Sequence, residues 1–258
     1  MKLFKYTLYI LITVWLVYKY AMPYFKTFNS KSEATEMYNS IPSDGLSWST
    51  FAHSTLGNSI YLKEFGDAQN GTLIFGAFHG DEPGGFMLVT KLARYIQKNP
   101  DEITQGVVIV PVLNPDGLLS GTRTNSNGVD VNRNFPTENW SPAYNSERNF
   151  PGEKPASEIE TVIAMQLIDK YKPAKIISVH SALHVINYDG PALGLANEMA
   201  RYNNYKVSED IGYSTPGSFG TYAGIELKIP TITLELPTYD PVTAWKDNGE
   251  ALIKAINY

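Results

Sequence analysis

The sequence predicts one α/β domain over residues 46–258, a mainly parallel mixed sheet flanked by helices on both faces, preceded by an N-terminal hydrophobic helix. Three observations predict it. Short apolar runs rich in β-branched residues alternate with helical patterns, as in strand–helix–strand units. A chain of 258 residues is long enough to bury one large core. Residues able to do chemistry stand where several of the apolar runs stop, which is where open α/β sheets place their sites.

In chain order, residues 1–25 read MKLFKYTLYILITVWLVYKYAMPYF. Lys2 and Lys5 precede an unbroken apolar and aromatic run from Tyr6 to Tyr18, and Lys19 interrupts it. The run falls between a signal core of roughly 7–15 residues and a spanning helix of roughly 20. No small-residue cleavage site follows near Ala21, and Trp15 and the tyrosines suit a membrane interface. The segment is read as an uncleaved single-pass anchor, with Lys2 and Lys5 inside and the rest of the chain on the outer side. The alternative is a signal segment removed on secretion to the periplasm.

Residues 26–45, KTFNSKSEATEMYNSIPSDG, are polar and read as a linker. TLIFGAF (72–78), VVIVPV (107–112), KIISVH (175–180) and TITLEL (231–236) are the strands. Phe86, Val89, Leu92, Ala93 and Ile96 recur at helical spacing between the first two. Ser157 and Glu160 have the spacing of a capping box at the start of SEIETVIAMQLIDKY. Net charge is −5 with no dense Lys/Arg block, so nothing favours a nucleic-acid partner. The absence of cysteine excludes disulfides, thiolate metal sites and a cysteine nucleophile.

The first strand runs into His79 and Glu82, another ends on His180, and the last leads into Glu235. Two imidazoles and a carboxylate make a His₂Glu site for one zinc ion, with a position left open for water. Glu235 is then the carboxylate placed to take that water's proton. The turn-rich stretch GTRTNSNGVDVNRNFP supplies Arg123 and Arg133. Arg133, with Asn132, is assigned to a substrate carboxylate, and Arg123 to the carbonyl oxygen as it becomes negative.

Each group alone has a plainer reading. H-x-x-E is a common polar turn, His180 suits a satisfied core histidine, Glu235 a helix cap, and the arginines solvated loop charges. Their convergence at strand ends is what favours a metal site. His53 and His184 are left out of it. Ser178 and Ser181 flank His180, but without a G-x-S-x-G elbow they do not support a serine hydrolase.

These residues resemble the zinc carboxypeptidase family, whose H-x-x-E pair, arginine, Asn-Arg pair, distant His and late Glu occur in this chain. The resemblance implies His79, Glu82 and His180 as ligands to one zinc, and Arg123 as oxyanion donor. It implies Asn132 and Arg133 as the clamp on a terminal carboxylate and Glu235 as the catalytic carboxylate. HGDE, NPDG followed by RTNSNGVDVNRNFP, GYSTPGSFG (212–220) and ITLELP carry a closer likeness, the Asn-rich and TPGSFG stretches being far more specific than H-x-x-E. They resemble the branch of the family that cleaves the γ-D-glutamyl–meso-diaminopimelate amide of cell-wall murein peptides. GYSTPGSFG, through its backbone amides and Ser218, is expected to read the far end of diaminopimelate. The family's mobile tyrosine has three candidates here, Tyr213, Tyr222 and Tyr239. A broader carboxypeptidase for ordinary peptides and an inert, membrane-tethered cell-wall binding module are the rival expectations.

Overall fold

The computed structural model describes residues 22–237 and 241–258. Among the described residues eight strands form one sheet: β1 (Ser49–His53), β2 (Ser59–Phe65), β3 (Thr72–Phe75), β4 (Val107–Val110), β5 (Lys175–Ser181), β6 (Val185–Asp189), β7 (Lys206–Ser208) and β8 (Thr231–Leu236). Their spatial order is β1-β2-β4-β3-β5-β8-β6-β7. The centre is parallel, with β3 beside β4 and β5, and β5 beside β8. Antiparallel pairs β1–β2, β2–β4 and β6–β8 flank it, and β7 joins β6 in parallel. The helices are α1 (Met22–Ser40), α2 (Pro83–Lys98), α3 (Pro115–Ser120), α4 (Ile159–Tyr171), α5 (Leu193–Asn203) and α6 (Pro241–Asn257).

Side chains alternate across a strand. On β5 and β8, Ile177, Val179, Ile232, Leu234 and Leu236 enter one core with Leu88, Val89 and Leu92 of α2 and with α5 and α6. The opposite face carries a second core, in which Phe75, Phe78, Phe135, Ile176 and Phe219 pack with Ile163 and Leu167 of α4. Full burial of each such side chain contributes roughly 1.5–3 kcal/mol. The apolar stripe read at Phe86, Val89, Leu92, Ala93 and Ile96 is wholly buried, as α2 requires.

Two local expectations differ from the structure. The polar stretch read as a linker is helical through Ser40. Ala34, Met37, Tyr38 and Ile41 stand at i, i+3, i+4 and i+7 and join a small cluster with Phe86 and Leu118. Tyr38 Oη also donates to Ser59 O (2.7 Å) and Lys31 Nζ to Ser120 O (2.6 Å). The stripe is narrow and lies among polar residues, so composition concealed it.

The capping box does not form. The N-cap of α4 is Glu158, without a side-chain cap. Asn134 takes over instead, accepting from Glu158 N (3.1 Å) and donating to Ser157 Oγ (3.0 Å), while Glu160 Oε2 accepts from Asn125 Nδ2 (2.9 Å). A tertiary partner has displaced the local one.

Among the described residues, no helix is long and apolar enough to cross a membrane. Apart from its last few residues, which begin α1, the hydrophobic segment 1–25 lies outside the described residues.

Candidate metal centre

The HGDE and NPDG stretches are halves of one corner. Asn114 N donates to Ala77 O (3.0 Å), and its side chain both donates to Phe78 O (3.2 Å) and caps α3 at Gly117 N (2.8 Å). Gly80 lies against the Gly117 backbone so closely that a β-carbon there would overlap it. This contact turns the chain after β3, so that His79 and Glu82 face β5, and Pro83 then starts α2. His180 and Glu235 are register partners on the parallel β5–β8 pair, and Glu235 is also paired with Val185 across the antiparallel β6.

His79, Glu82 and His180 converge and are buried. His79 Nδ1 lies 2.9 Å from Glu82 Oε1 and 3.2 Å from His180 Nδ1, which is itself 3.2 Å from Glu82 Oε2. A tetrahedral ion with bonds of about 2.0–2.1 Å requires its donor atoms roughly 3.3 Å apart. Asp130 Oδ1 accepts from His79 Nε2 (3.1 Å), which leaves a lone pair on Nδ1. Ser181 N donates to Glu82 Oε2 (3.1 Å) and helps to fix that carboxylate. Burial opposes a charge on His79, but Glu82 and Asp130 outweigh it and the repulsion of Arg123, raising its pKa to about 9. For Glu82, too, burial is outweighed by the two histidines, which hold its carboxyl far below the usual carboxylate range. Donor spacing, tautomer and potential all fit one zinc ion.

The remaining expected residues surround this centre. Arg123 Nε donates to Asp130 Oδ2 (3.0 Å), and its Nη1 lies 3.2 Å from His79 Nδ1 and 3.3 Å from Glu82 Oε1. Burial lowers its pKa, but Asp130 and Glu82 outweigh burial and raise it. Glu235 is 8% exposed, and its Oε2 has no hydrogen-bond partner among the described residues. Burial raises its pKa against the pull of His180. Arg133 is 7% exposed, donates to Asn132 O (2.7 Å) and makes no ion pair among the described residues. Asn132 Oδ1 accepts from Phe219 N (2.8 Å), tying the GSFG turn to this wall. Ser218 Oγ shares a hydrogen bond with Thr221 Oγ1 (2.9 Å) and accepts from Thr221 N (3.2 Å).

A cavity of about 240 Å³ joins His79, His180 and Glu235 to Asn132, Arg133, Tyr213 and Ser218, as well as to Asp189 and Glu209. A second cleft of about 690 Å³ shares Arg133 and Tyr213 with it and extends along residues 141–151. Of the tyrosines, Tyr213 is 54% exposed, and its hydroxyl feels Glu235, Arg133 and Arg123. Tyr222 stacks on Phe135 (5.6 Å) beside Glu226 and Asp169, away from the centre. Tyr239 lies outside the described residues. His184 packs edge-on against Tyr205 (4.3 Å), and His53 is exposed on β1.

Asp130 was missed from the sequence; the signal was an acid two residues before Asn132 in a loop already rich in candidates. Asp189 and Glu209 were missed as well, and only the cavity brings them to the site.

A His₂Glu centre at the carboxyl ends of parallel strands, with a buried carboxylate beside it, defines a metallohydrolase. The chain belongs to the zinc carboxypeptidase family, whose sequence profile matches residues 35–203, and is a metallopeptidase that uses that family's single zinc. Relatives include murein peptide amidase A of Vibrio campbellii, 33% identical over 208 residues, which are 76% of this chain and 80% of that protein. The same enzyme of Escherichia coli K12 is 36% identical over 176 residues, 64% of this chain and 70% of that one. The crystal structure of murein-tripeptide amidase from Escherichia coli O157 superposes with a TM-score of 0.71 at 29% identity, covering 82% of this chain and 92% of that one.

Proposed function

We propose that the protein hydrolyses the amide between γ-D-glutamate and meso-diaminopimelate in murein peptides and releases the terminal diaminopimelate. The observation that carries this reading is Arg133, a buried guanidinium without an ion-pair partner among the described residues, in the cavity that holds His79, His180 and Glu235. A buried cation in that position calls for an anion, and the carboxylate of a chain-terminal residue supplies one in fork geometry. The two bacterial relatives named for murein peptides make diaminopimelate the residue of choice.

His79, Glu82 and His180 would hold the zinc, which when bound would supply Lewis acidity and an acidified water. Glu235, aimed into the cavity through an unpartnered oxygen, receives the water's proton as the hydroxyl adds to the carbonyl carbon. It then passes the proton to the amide nitrogen as the C–N bond breaks. Arg123 faces the oxygen that gains charge, Arg133 and Asn132 hold the terminal carboxylate, and Tyr213 closes the mouth. Ser218 positions the GSFG turn and borders the far end of the released residue. The acyl side of the substrate runs into the cleft along residues 141–151.

The apolar run of residues 6–18 supports a single-pass anchor that holds the domain on the outer side of the membrane, facing murein; the alternative is release into the periplasm after cleavage. Protease accessibility in intact spheroplasts, with the size of the mature chain, separates the two.

The central test incubates the full-length chain with L-Ala-γ-D-Glu-meso-diaminopimelate, with and without chelator. Release of diaminopimelate that chelation abolishes and zinc restores is expected. Release only from α-linked peptides would instead establish a broader carboxypeptidase, and tight binding without release an inert module.

A further inference from the structure

We propose that α1 is a positioning element of the metal centre: Lys31, Ala34 and Tyr38 hold the corner that carries His79 and Glu82, so that docking of α1 and binding of zinc strengthen each other. This coupling concerns the metal alone and is independent of which amide is cut.

The corner needs holding. Two residues before His79 the chain passes through Ala77, whose φ is +41°. That is the left-handed region, which a residue with a β-carbon keeps only where its surroundings fix it. Part of the fixing is backbone. Gly76 N donates to Val110 O (2.9 Å), Leu113 N to Gly76 O (3.2 Å) and Asn114 N to Ala77 O (3.0 Å). The packing comes from α1. Ala77 is wholly buried in one cluster with Ala34, Tyr38 and Ile41, which also holds Val112, Leu118, and Phe86 and Met87 of α2. The cluster therefore joins α1 to the chain on both sides of the His79–Glu82 pair. Among the described residues it includes nothing from β5 or β8. α1 thus steadies two ligands relative to the third, His180.

Polar bonds attach α1 as well. Lys31 Nζ donates to Ser120 O (2.6 Å), one of the carbonyls at the end of α3 that the helix itself cannot satisfy. Gly121, with φ +71°, lets the lysine approach; a β-carbon there would lie 2.9 Å from Lys31 Cδ. Tyr38 Oη donates to Ser59 O (2.7 Å), and its ring meets Tyr61 at 6.0 Å. From the other side, Asp116 of α3 accepts from Ser54 Oγ, Leu56 N and Asn58 Nδ2 in the β1–β2 turn. α3 is gripped between that turn and α1, and its Gly117 is the residue against which Gly80 packs, next to His79. Because α1 follows on the apolar run of residues 6–18, the segment proposed to tether the protein leads straight into the support of its metal.

Coupling of this kind is reciprocal: zinc must favour docking of α1 by the factor by which docking favours zinc. Two readouts follow on the full-length protein, and neither uses substrate. The first is zinc affinity by chelator competition. Ala34→Asp, which places a charge at a fully buried position, should weaken zinc binding by about 10-fold or more. Tyr38→Phe and Lys31→Met should each weaken it by about 3-fold, and Lys31→Arg, which keeps a donor, should recover most of that loss. Leu252→Ala, in the core between the sheet and α2, α5 and α6, is the control. It should lower Tm and leave the zinc affinity of the folded protein unchanged. The second readout is amide hydrogen exchange in the unaltered protein. Zinc loading should slow residues 31–41 by about 10-fold more than it slows α5.

α1 variants that bind zinc as tightly as the unaltered protein overturn the proposal. So does an equal loss of affinity in Leu252→Ala, since any loss of stability would then suffice. Exchange that slows equally in α1 and α5 overturns it too. Should Ala34→Asp fail to fold, Lys31→Met against Lys31→Arg carries the comparison, because Lys31 is exposed and its replacement leaves the cluster intact.

Discussion

The two ends of the active-site cavity are built on opposite principles. At the metal end, His79, Glu82, Asp130, Arg123 and the Ser181 amide are bonded to one another. At the proposed substrate end, Arg133 and Asp189 carry charges with no ionic partner among the described residues. The metal end is organised by the protein's own groups before any substrate arrives. The substrate end leaves its electrostatics unfinished, so that a ligand's charges complete them.

Four substitutions break or sharpen this contrast. Glu235→Gln, at the border of the two ends, should lower kcat by about 10²–10⁴-fold. Its zinc content by metal analysis should stay at one per chain; loss of zinc would move Glu235 into the metal end.

Arg133→Ala should raise KM for the peptide by about 10–100-fold, the worth of a charge-assisted fork, with kcat changing less. A change confined to kcat in steady-state kinetics would detach Arg133 from the ground-state carboxylate.

Asp130→Asn should weaken zinc binding by about 10–100-fold in chelator competition, because His79 loses the acceptor that fixes its tautomer. An unchanged affinity would show that the metal end does not depend on its outer carboxylate.

The smallest effect is on stability. Asp189 titrates near 6 in the fold against 3.8 for the ordinary side chain, so the folded state binds more protons between those values. Its contribution to stability is fully present below about pH 3.8 and is lost as pH rises through about 6. Asp189→Asn should therefore stabilise the protein by roughly 1–3 kcal/mol at pH 8 and leave it unchanged near pH 3.5, read as Tm shifts. A substitution that destabilises at pH 8 would mean that Asp189 is held by the fold after all.

Much of the metal end was legible because its residues follow apolar runs whose period identifies strands. TITLEL and KIISVH alternate so that Glu235 and His180 face the site, while Leu234 and Val179 face the core. The linker reading of residues 26–45 failed for the complementary reason. Ala34, Met37, Tyr38 and Ile41 form a stripe too thin to stand out, and α1 depends on tertiary contacts to Phe86 and Leu118. The capping box failed because Asn134, far off in sequence, offered Glu158 N and Ser157 better partners.

The sequence by itself pointed to the α/β fold class, the three candidate zinc ligands and the candidate catalytic carboxylate, because hydrophobic period and strand-end placement are local properties. Only the tertiary structure decided that Asp130 supports His79, that Tyr213 rather than Tyr222 stands at the mouth, and that Asp189 shares the cavity with Glu235. Those relations depend on register between β6 and β8 and on which loop a glycine lets approach. Electrostatic partnership is a matter of distance in space, and spacing along the chain does not encode it.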